Sequence, residues 1–242
     1  MKLKNNKSFQ FLIIRHGESI WNKDNRFTGW TDIPMTEFGV RQSADLASTI
    51  IKNKIKPYCI FSSELKRSYD TAKIIREKLK TNISIFDSWR LNEKSYGDCE
   101  GVNRDLLAQH TSKDFVSELR RSFFVRPPKL DNHMKYDFKD YQLKTNNYYF
   151  QNKIYNGETK EMVLHRLLPY WYDNIIPKIK DYSCPLIVTH KHTARVLLKY
   201  LSKMPLAEFD KLQFKNGLVY HVQLNNEFFI EDFNNDFNIL ED

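Results

Sequence analysis

Cysteine is scarce. Cys59, Cys99 and Cys184 stand far apart and odd in number, which excludes a disulfide framework and a metal-ligand spacing and fits a reducing compartment. Long apolar runs are missing too. The stretch Phe9 to Ile14 is too short for a secretory h-region or a membrane span, and the ten residues that open the chain are polar and lysine-rich. These absences predict a soluble, cytoplasmic protein with no metal. No internal repeat is evident. Basic residues are absent after Asn226, where Glu227, Glu231, Asp232, Asp236, Glu241 and Asp242 accumulate. That end reads as a solvated tail or as a segment folded over a cationic site.

What is present is a globular composition, 41% apolar and 14% aromatic over 242 residues, enough for one core and one domain over 1–242. The formal charge of +8 suggests an anionic partner: nucleic acid, a membrane surface or phosphorylated metabolites. A Lys- and Asn-rich bias with solvated lysines explains it equally well. No RNA-binding motif or aromatic–basic interleaving accompanies the charge.

Short apolar runs alternate with longer amphipathic ones. Phe9 to Ile14 reads as a strand buried on both faces. Thr36 to Asn53 reads as a helix N-capped by Thr36, with Val40, Ala44, Ala47 and Ile51 on one face. Tyr58 to Phe61 is a second strand. Ser62 or Ser63 caps a helix to about Lys80, with Leu65, Tyr69, Ala72 and Ile75 inward. Ile83 to Phe86 is a third strand. Met162 to Ile176 reads as a helix bent near Pro169. Leu186 to Val188 is a strand, followed by a helix over Thr193 to Leu201. Leu218 to Leu224 alternates as an edge strand. Residues 125 to 157, the least regular stretch, read as a lid or a mobile loop. This order predicts an α/β fold, a three-layer sandwich with a mostly parallel central sheet flanked by helices.

Ligands of an open parallel sheet bind at the carboxyl ends of its strands. Two strands end there in histidine, at Arg15-His16 and Thr189-His190, and a third leads through Ser62-Ser63 to Arg67. Were these strands neighbours, two imidazoles and two guanidiniums would share one pocket. Arg offers bidentate hydrogen bonds to phosphate oxygens, and helix N-termini add N–H donors. A neutral imidazole can attack phosphorus in line while the cations stabilise the equatorial oxygens.

The segment Leu-Ile-Ile-Arg-His-Gly-Glu-Ser-Ile-Trp-Asn-Lys-Asp-Asn-Arg-Phe-Thr-Gly, Leu12 to Gly29, closely resembles the active-site segment of cofactor-dependent phosphoglycerate mutases of the histidine phosphatase superfamily. The likeness continues through Trp30-Thr31-Asp32, Ser63-Glu64-Leu65-Lys66-Arg67, Trp89 to Gly97, Arg120-Arg121-Ser122-Phe123 and Pro127-Pro128. It resumes at Gly157-Glu158-Thr159, Arg166 to Trp171 and Thr189-His190. It spans most of 9–225 and leaves 226–242 as a divergent acidic tail. Arg-His-Gly alone marks the superfamily; Phe-Thr-Gly-Trp, Leu-Asn-Glu-x-x-Tyr-Gly and the paired arginines mark the mutase branch.

The resemblance implies that His16 is the phosphorylated nucleophile. Arg15, Arg67 and His190 would hold the phosphoryl group with Asn22 nearby, and Glu93 would be the general acid and base. Ser19, Thr28, Gly29, Tyr96, Arg104, Arg120 and Arg121 would bind the substrate's carboxylate and second phosphate. It further implies priming by 2,3-bisphosphoglycerate, a place in glycolysis and gluconeogenesis, a phosphorylated small-molecule substrate, no nucleic-acid or membrane partner, and a homodimer or higher oligomer. The chain departs from the family at His190-Lys191-His192-Thr193, where His-Gly-Asn-Ser is usual. Lys191 and His192 would then face the substrate. Arg104 replaces a lysine, Lys94-Ser95 replace Arg-His, and Lys215-Asn216-Gly217 replace Pro-Thr-Gly. Three functions stay open: the mutase, a phosphomonoester phosphatase in which water takes the phosphoryl group from His16, and a non-catalytic binder of an anionic partner.

Overall fold

A computed structural model describes residues 9–129, 157–181, 184–232 and 237–240. Six strands form one sheet in the order β3-β2-β4-β1-β5-β6: β1 Phe9–Arg15, β2 Ile60–Ser62, β3 Ile85–Asp87, β4 Leu186–Thr189, β5 Val219–Leu224 and β6 Phe237–Leu240. β1 to β4 run parallel to one another, while β5 is antiparallel to β1 and to β6.

Alternation along β1 separates the layers. Phe11 and Ile13 pack with Val163, Leu167, Trp171 and Leu197 on one face of the sheet. Leu12 and Ile14 pack with Leu46, Ile50, Ala72 and Ile75 on the other. The helices Lys160–Tyr170, Ile176–Lys180 and Lys191–Leu201 therefore cover one face, and Glu37–Lys52 and Lys66–Lys78 the other. This is the expected three-layer α/β sandwich. A separate cluster of Phe27, Tyr96, Cys99, Val102, Leu107, Val116 and Leu119 joins the helices Arg104–His110 and Lys113–Arg121. The side chains of Asn103 and Ser112 cap these two short helices.

Several local expectations change. The helix Glu37–Lys52 has Thr36 as its N-cap, but it buries Gly39, Ser43, Leu46, Ala47 and Ile50, leaving Val40 44% and Ile51 52% exposed. A backbone contact decides this rotation. A Cβ on Gly39 would stand 2.2 Å from the Glu18 carbonyl oxygen, and one on Gly17 would stand 2.2 Å from that of Gly39. Only two glycines let the helix lie this close to the loop after β1. The helix Lys66–Lys78 is capped by neither Ser62 nor Ser63: the Lys66 N–H donates to Asp32 Oδ1 at 2.7 Å. Tyr69 is only half-buried, whereas Leu65, Ala72 and Ile75 are fully enclosed. The Pro169 bend is a π-helical turn over Trp171–Ile175, which re-registers the chain after the missing proline donor.

β5 is not an edge strand, because β6 pairs along it from Val219↔Leu240 to Val222↔Phe237. Within the acidic end, Phe237–Leu240 completes the sheet, while Asp236, Glu241 and Asp242 lie outside the described residues. The lid expected over 125 to 157 lies mostly outside the described residues. Among the described residues, no helix is long and apolar enough to cross a membrane.

Replacing Gly39 with Ala should lower the unfolding free energy by about 1–3 kcal/mol, since both clashing partners are backbone. Urea titration of the variant checks this. A loss under roughly 0.5 kcal/mol, the ordinary surface range, would mean that helix and loop can part freely.

Candidate active site

The parallel strands place their carboxyl ends side by side, and Arg15 pairs in register with Thr189. His16 and His190 follow directly, with ring centroids 4.8 Å apart. His16 Nδ1 lies 2.6 Å from the Gly17 carbonyl oxygen. A carbonyl can only accept, so Nδ1 carries the proton and Nε2 keeps its lone pair. Burial foremost, then the charges of Arg67 and Arg15, hold this imidazole well below its ordinary pKa. His16 is thus a neutral imidazole whose orientation and tautomer are fixed. His190, fully enclosed, is depressed for the same leading reason, and its Nε2 lies 2.7 Å from Ser63 Oγ.

A cavity of about 680 Å³ opens over His16. Its wall includes Arg15, Asn22, Thr28, Gly29, Arg67, Glu93, Tyr96, Arg104, Arg120, Arg121, Lys191 and His192, so most of the expected residues meet in one place. His190 lies against the His16 ring rather than on that wall. Ser19 differs. It is fully buried, accepts from the Asn22 N–H as the N-cap of Ile20–Lys23, and does not line the cavity.

Charge on the wall is one-sided: seven Arg or Lys side chains against the carboxylates of Glu18, Glu93 and Asp210. Their donors are also left over. Arg15 Nε, Thr28 Oγ1, Arg104 Nε, His192 Nδ1 and Arg195 Nε are buried without a hydrogen-bond partner among the described residues. Buried polar atoms are normally satisfied, so such a set on one cavity wall is provision for an anion with many oxygens. Arg67 donates to two backbone carbonyls, that of Thr31 at 3.0 Å and that of Gly29 at 2.7 Å. Burial draws Arg15 down to about 10 and, with Arg15, Arg120 and Arg195 behind it, draws Lys191 down to about 8.

Glu93 is held from several sides. Its Oε1 accepts from the N–H of Lys94 at 2.8 Å and of His192 at 3.2 Å, the latter in the first turn of Lys191–Leu201. Its carbonyl accepts from Trp30 Nε1 and from Arg166 Nη2. Arg166 also donates to the carbonyls of Arg90 and Asn92 and pairs with buried Glu158 at 2.7 Å. Tyr96 OH and His192 Nε2 meet at 3.0 Å. Burial pushes the Tyr96 phenol up and the His192 imidazole down, the latter with help from Lys160 and Lys94.

Gly29 adopts φ +56°, and the Glu100 carboxylate fills the space a Cβ would take. That carboxylate ties the 28–31 turn to the 95–96 segment through the N–H groups of Trp30, Thr31 and Tyr96. Asn216, from the Lys215-Asn216-Gly217 departure, also lines the cavity, as do Glu18, Gln42, Arg195, Asp210, Leu212 and Gln213, which were not named as site residues. Arg195 carried a signal, since it follows Lys191 by four positions on one helix face. Gln42 reaches the wall from the helix Glu37–Lys52, and Asp210, Leu212, Gln213 and Asn216 reach it from loops with no local signature. Among the described residues, no cluster of His, Cys, Asp and Glu could hold a metal ion.

Fold and site together define an α/β protein with a paired-histidine anion cavity at its sheet edge. The chain belongs to the histidine phosphatase superfamily: the sequence model of branch 1 of that superfamily matches residues 11–236. It is 34% identical over 223 residues to a protein of Buchnera aphidicola subsp. Baizongia pistaciae named 2,3-bisphosphoglycerate-dependent phosphoglycerate mutase, covering 92% of this chain and 95% of the relative. A Blochmanniella floridana protein of the same name is 33% identical, with coverages of 89% and 92%. Among solved structures, a mycobacterial glucosyl-3-phosphoglycerate phosphatase with VO3 superposes with a TM-score of 0.68 at 22% identity, covering 88% of this chain and 92% of that one. The alpha-ribazole phosphatase of Shigella flexneri superposes at 0.67 with 20% identity, covering 96% of each chain. At these identities the superpositions speak for the fold alone.

The three site histidines are neutral in the folded protein but titrate near 6.5 when unfolded. Below that pH the unfolded chain binds more protons, so stability falls as pH drops through 6.5. Each histidine steepens the fall by about 1.4 kcal/mol per pH unit until its folded pKa is reached. Urea unfolding at pH 7.5, 6.5 and 5.5 should show a shallower fall for His192→Asn than for the wild type. Equal slopes would mean that His192 is already charged in the folded state.

Proposed function

We propose that this protein is a 2,3-bisphosphoglycerate-dependent phosphoglycerate mutase, interconverting 3-phosphoglycerate and 2-phosphoglycerate in glycolysis through a phosphohistidine on His16. The observation that carries the reading is a neutral imidazole and a carboxylate, His16 and Glu93, facing one cavity whose unpaired donors suit two anionic groups. The names of the relatives near one-third identity support it.

In this reading 2,3-bisphosphoglycerate primes the enzyme by giving one phosphoryl group to His16 Nε2. The Nδ1–H to Gly17 carbonyl bond stabilises the positive charge that the ring gains. Arg15, Arg67 and His190 hold the transferring oxygens. The free hydroxyl of the bound monophosphate then attacks phosphorus, Glu93 takes its proton, and the His16–phosphorus bond breaks. The bisphosphate turns in the cavity, and His16 attacks the other phosphoryl group. Glu93 returns the proton to the leaving oxygen, so protons and phosphoryl groups balance over the cycle. Arg104, Arg120 and Arg121 receive the carboxylate and the group not being transferred. Ser19, as a buried cap, supports Asn22 and does not touch substrate.

A second reading is a phosphomonoester phosphatase. Lys191 and His192 favour it, since they line the cavity where the family's usual glycine and asparagine would shape the substrate pocket.

Incubation with 2,3-bisphosphoglycerate and 3-phosphoglycerate should label His16 stoichiometrically by mass mapping and form 2-phosphoglycerate by phosphorus NMR. His16→Ala should remove the label and lower turnover by at least roughly 10⁴-fold. Glu93→Gln should lower isomerisation by about 10²–10⁴-fold. Inorganic phosphate equal to the substrate lost, with no isomer, would select the phosphatase. Identical labelling in wild type and His16→Ala would overturn both readings.

A further inference from the structure

Arg120 and Arg121 occupy the C-terminal turn of the helix Lys113–Arg121. Both side chains are exposed and donate to nothing among the described residues, so neither guanidinium orients the turn that carries it. The orientation comes from behind. Lys94 is fully buried, and its Nζ donates to the Leu119 carbonyl at 2.9 Å and the Val125 carbonyl at 3.4 Å. Lys160, equally buried, donates through Nζ to the Arg121 carbonyl. The backbone N–H groups of Lys160 and Glu161 both donate to the Phe123 carbonyl. The C-terminus of one helix thus meets the N-terminus of the other, with two lysine amines set among the carbonyls that a helix end leaves unsatisfied.

Both lysines are costly there. Burial draws Lys94 down to about 8 and Lys160 down to about 7. An apolar residue of similar length would avoid that penalty. Lys160 also stands over the Phe209 ring at 5.2 Å, with Arg195 over the same ring at 4.4 Å. Phe209 precedes Asp210, Leu212 and Gln213 on the cavity wall. The same helix carries Arg166, which fixes the Glu93 segment. One helix therefore sets both the carboxylate and the arginine pair.

We propose that Lys94 and Lys160 are positioning residues that clamp the last turn of Lys113–Arg121, so that Arg120 and Arg121 can engage the anionic group of the substrate that is not being transferred. They act through those arginines and touch no substrate. The inference rests on the reading that Arg120 and Arg121 recognise that second anionic group.

The test compares two probes by isothermal titration calorimetry on the full chain: 2,3-bisphosphoglycerate, with several anionic groups, and orthovanadate, which needs only the His16 end. Lys160→Met should weaken 2,3-bisphosphoglycerate about tenfold while orthovanadate changes less than about twofold. General structural damage would weaken both alike, and that result, or no change in either, would overturn the clamp. In an Arg120→Ala/Arg121→Ala background, Lys160→Met should add less than about twofold; a full further tenfold loss would overturn it too. If Lys160→Met does not fold, Lys94→Met is read by the same criteria. Wild type alone judges the underlying reading: if it binds 2,3-bisphosphoglycerate no more tightly than orthovanadate, the second-anion role of the arginines fails. The clamp's functional claim then fails with it. If the wild type discriminates and the variants do not differ from it, only the clamp fails.

Discussion

Cations crowd the carboxyl ends of β1, β2 and β4 without carboxylates enough to neutralise them, and the fold is arranged to keep them apart from such partners. Arg67, Lys94, Lys160 and Arg195 all donate to main-chain carbonyls. Glu158 with Arg166 is a buried ion pair, yet the same guanidinium still reaches the carbonyls of Arg90, Asn92 and Glu93. A carbonyl dipole holds a guanidinium in place but leaves its charge uncancelled. The positive potential remains in the cavity, where a phosphoryl group can use it.

Burial and that positive potential together keep two imidazoles neutral. Protonating His16 would add a charge beside Arg15 and Arg67 on a residue only 2% exposed, so both causes act in one direction. The Gly17 carbonyl then selects the tautomer. That short contact depends on the loop after β1, which lies against the helix Glu37–Lys52 through Gly17 and Gly39. A packing constraint between two glycines thereby reaches the chemistry of one ring nitrogen.

The opposite wall is built from farther away. Helix Lys160–Tyr170 lies over the sheet and extends its influence to the cap of Phe27, Tyr96 and Leu119 through Lys160 and to Glu93 through Arg166. One helix thereby contacts both the Glu93 segment and the turn that carries Arg120 and Arg121. The departures at Lys191 and His192 fall at the start of Lys191–Leu201. The backbone N–H of His192 still serves Glu93 there, whatever side chain the position carries.

Much of this was legible in the sequence because it is local. Buried strands ending in Arg15-His16 and Thr189-His190 are contiguous text, and Thr36 announces its helix by a cap that operates within three residues. The parallel order follows from alternating strands and helices, and the motif residues come together because strand ends in such a sheet share one edge. Other features needed the tertiary structure. The cap of Lys66–Lys78 comes from Asp32, the buried face of Glu37–Lys52 is chosen by Glu18, and β6 is recruited from an acidic end by β5. Ser19 reads as a ligand residue by its place in the motif and is buried as a cap. The sequence by itself determined which side chains could do the chemistry. Only the tertiary structure decided which donors stay unpaired, because a donor's freedom depends on carbonyls and carboxylates far along the chain.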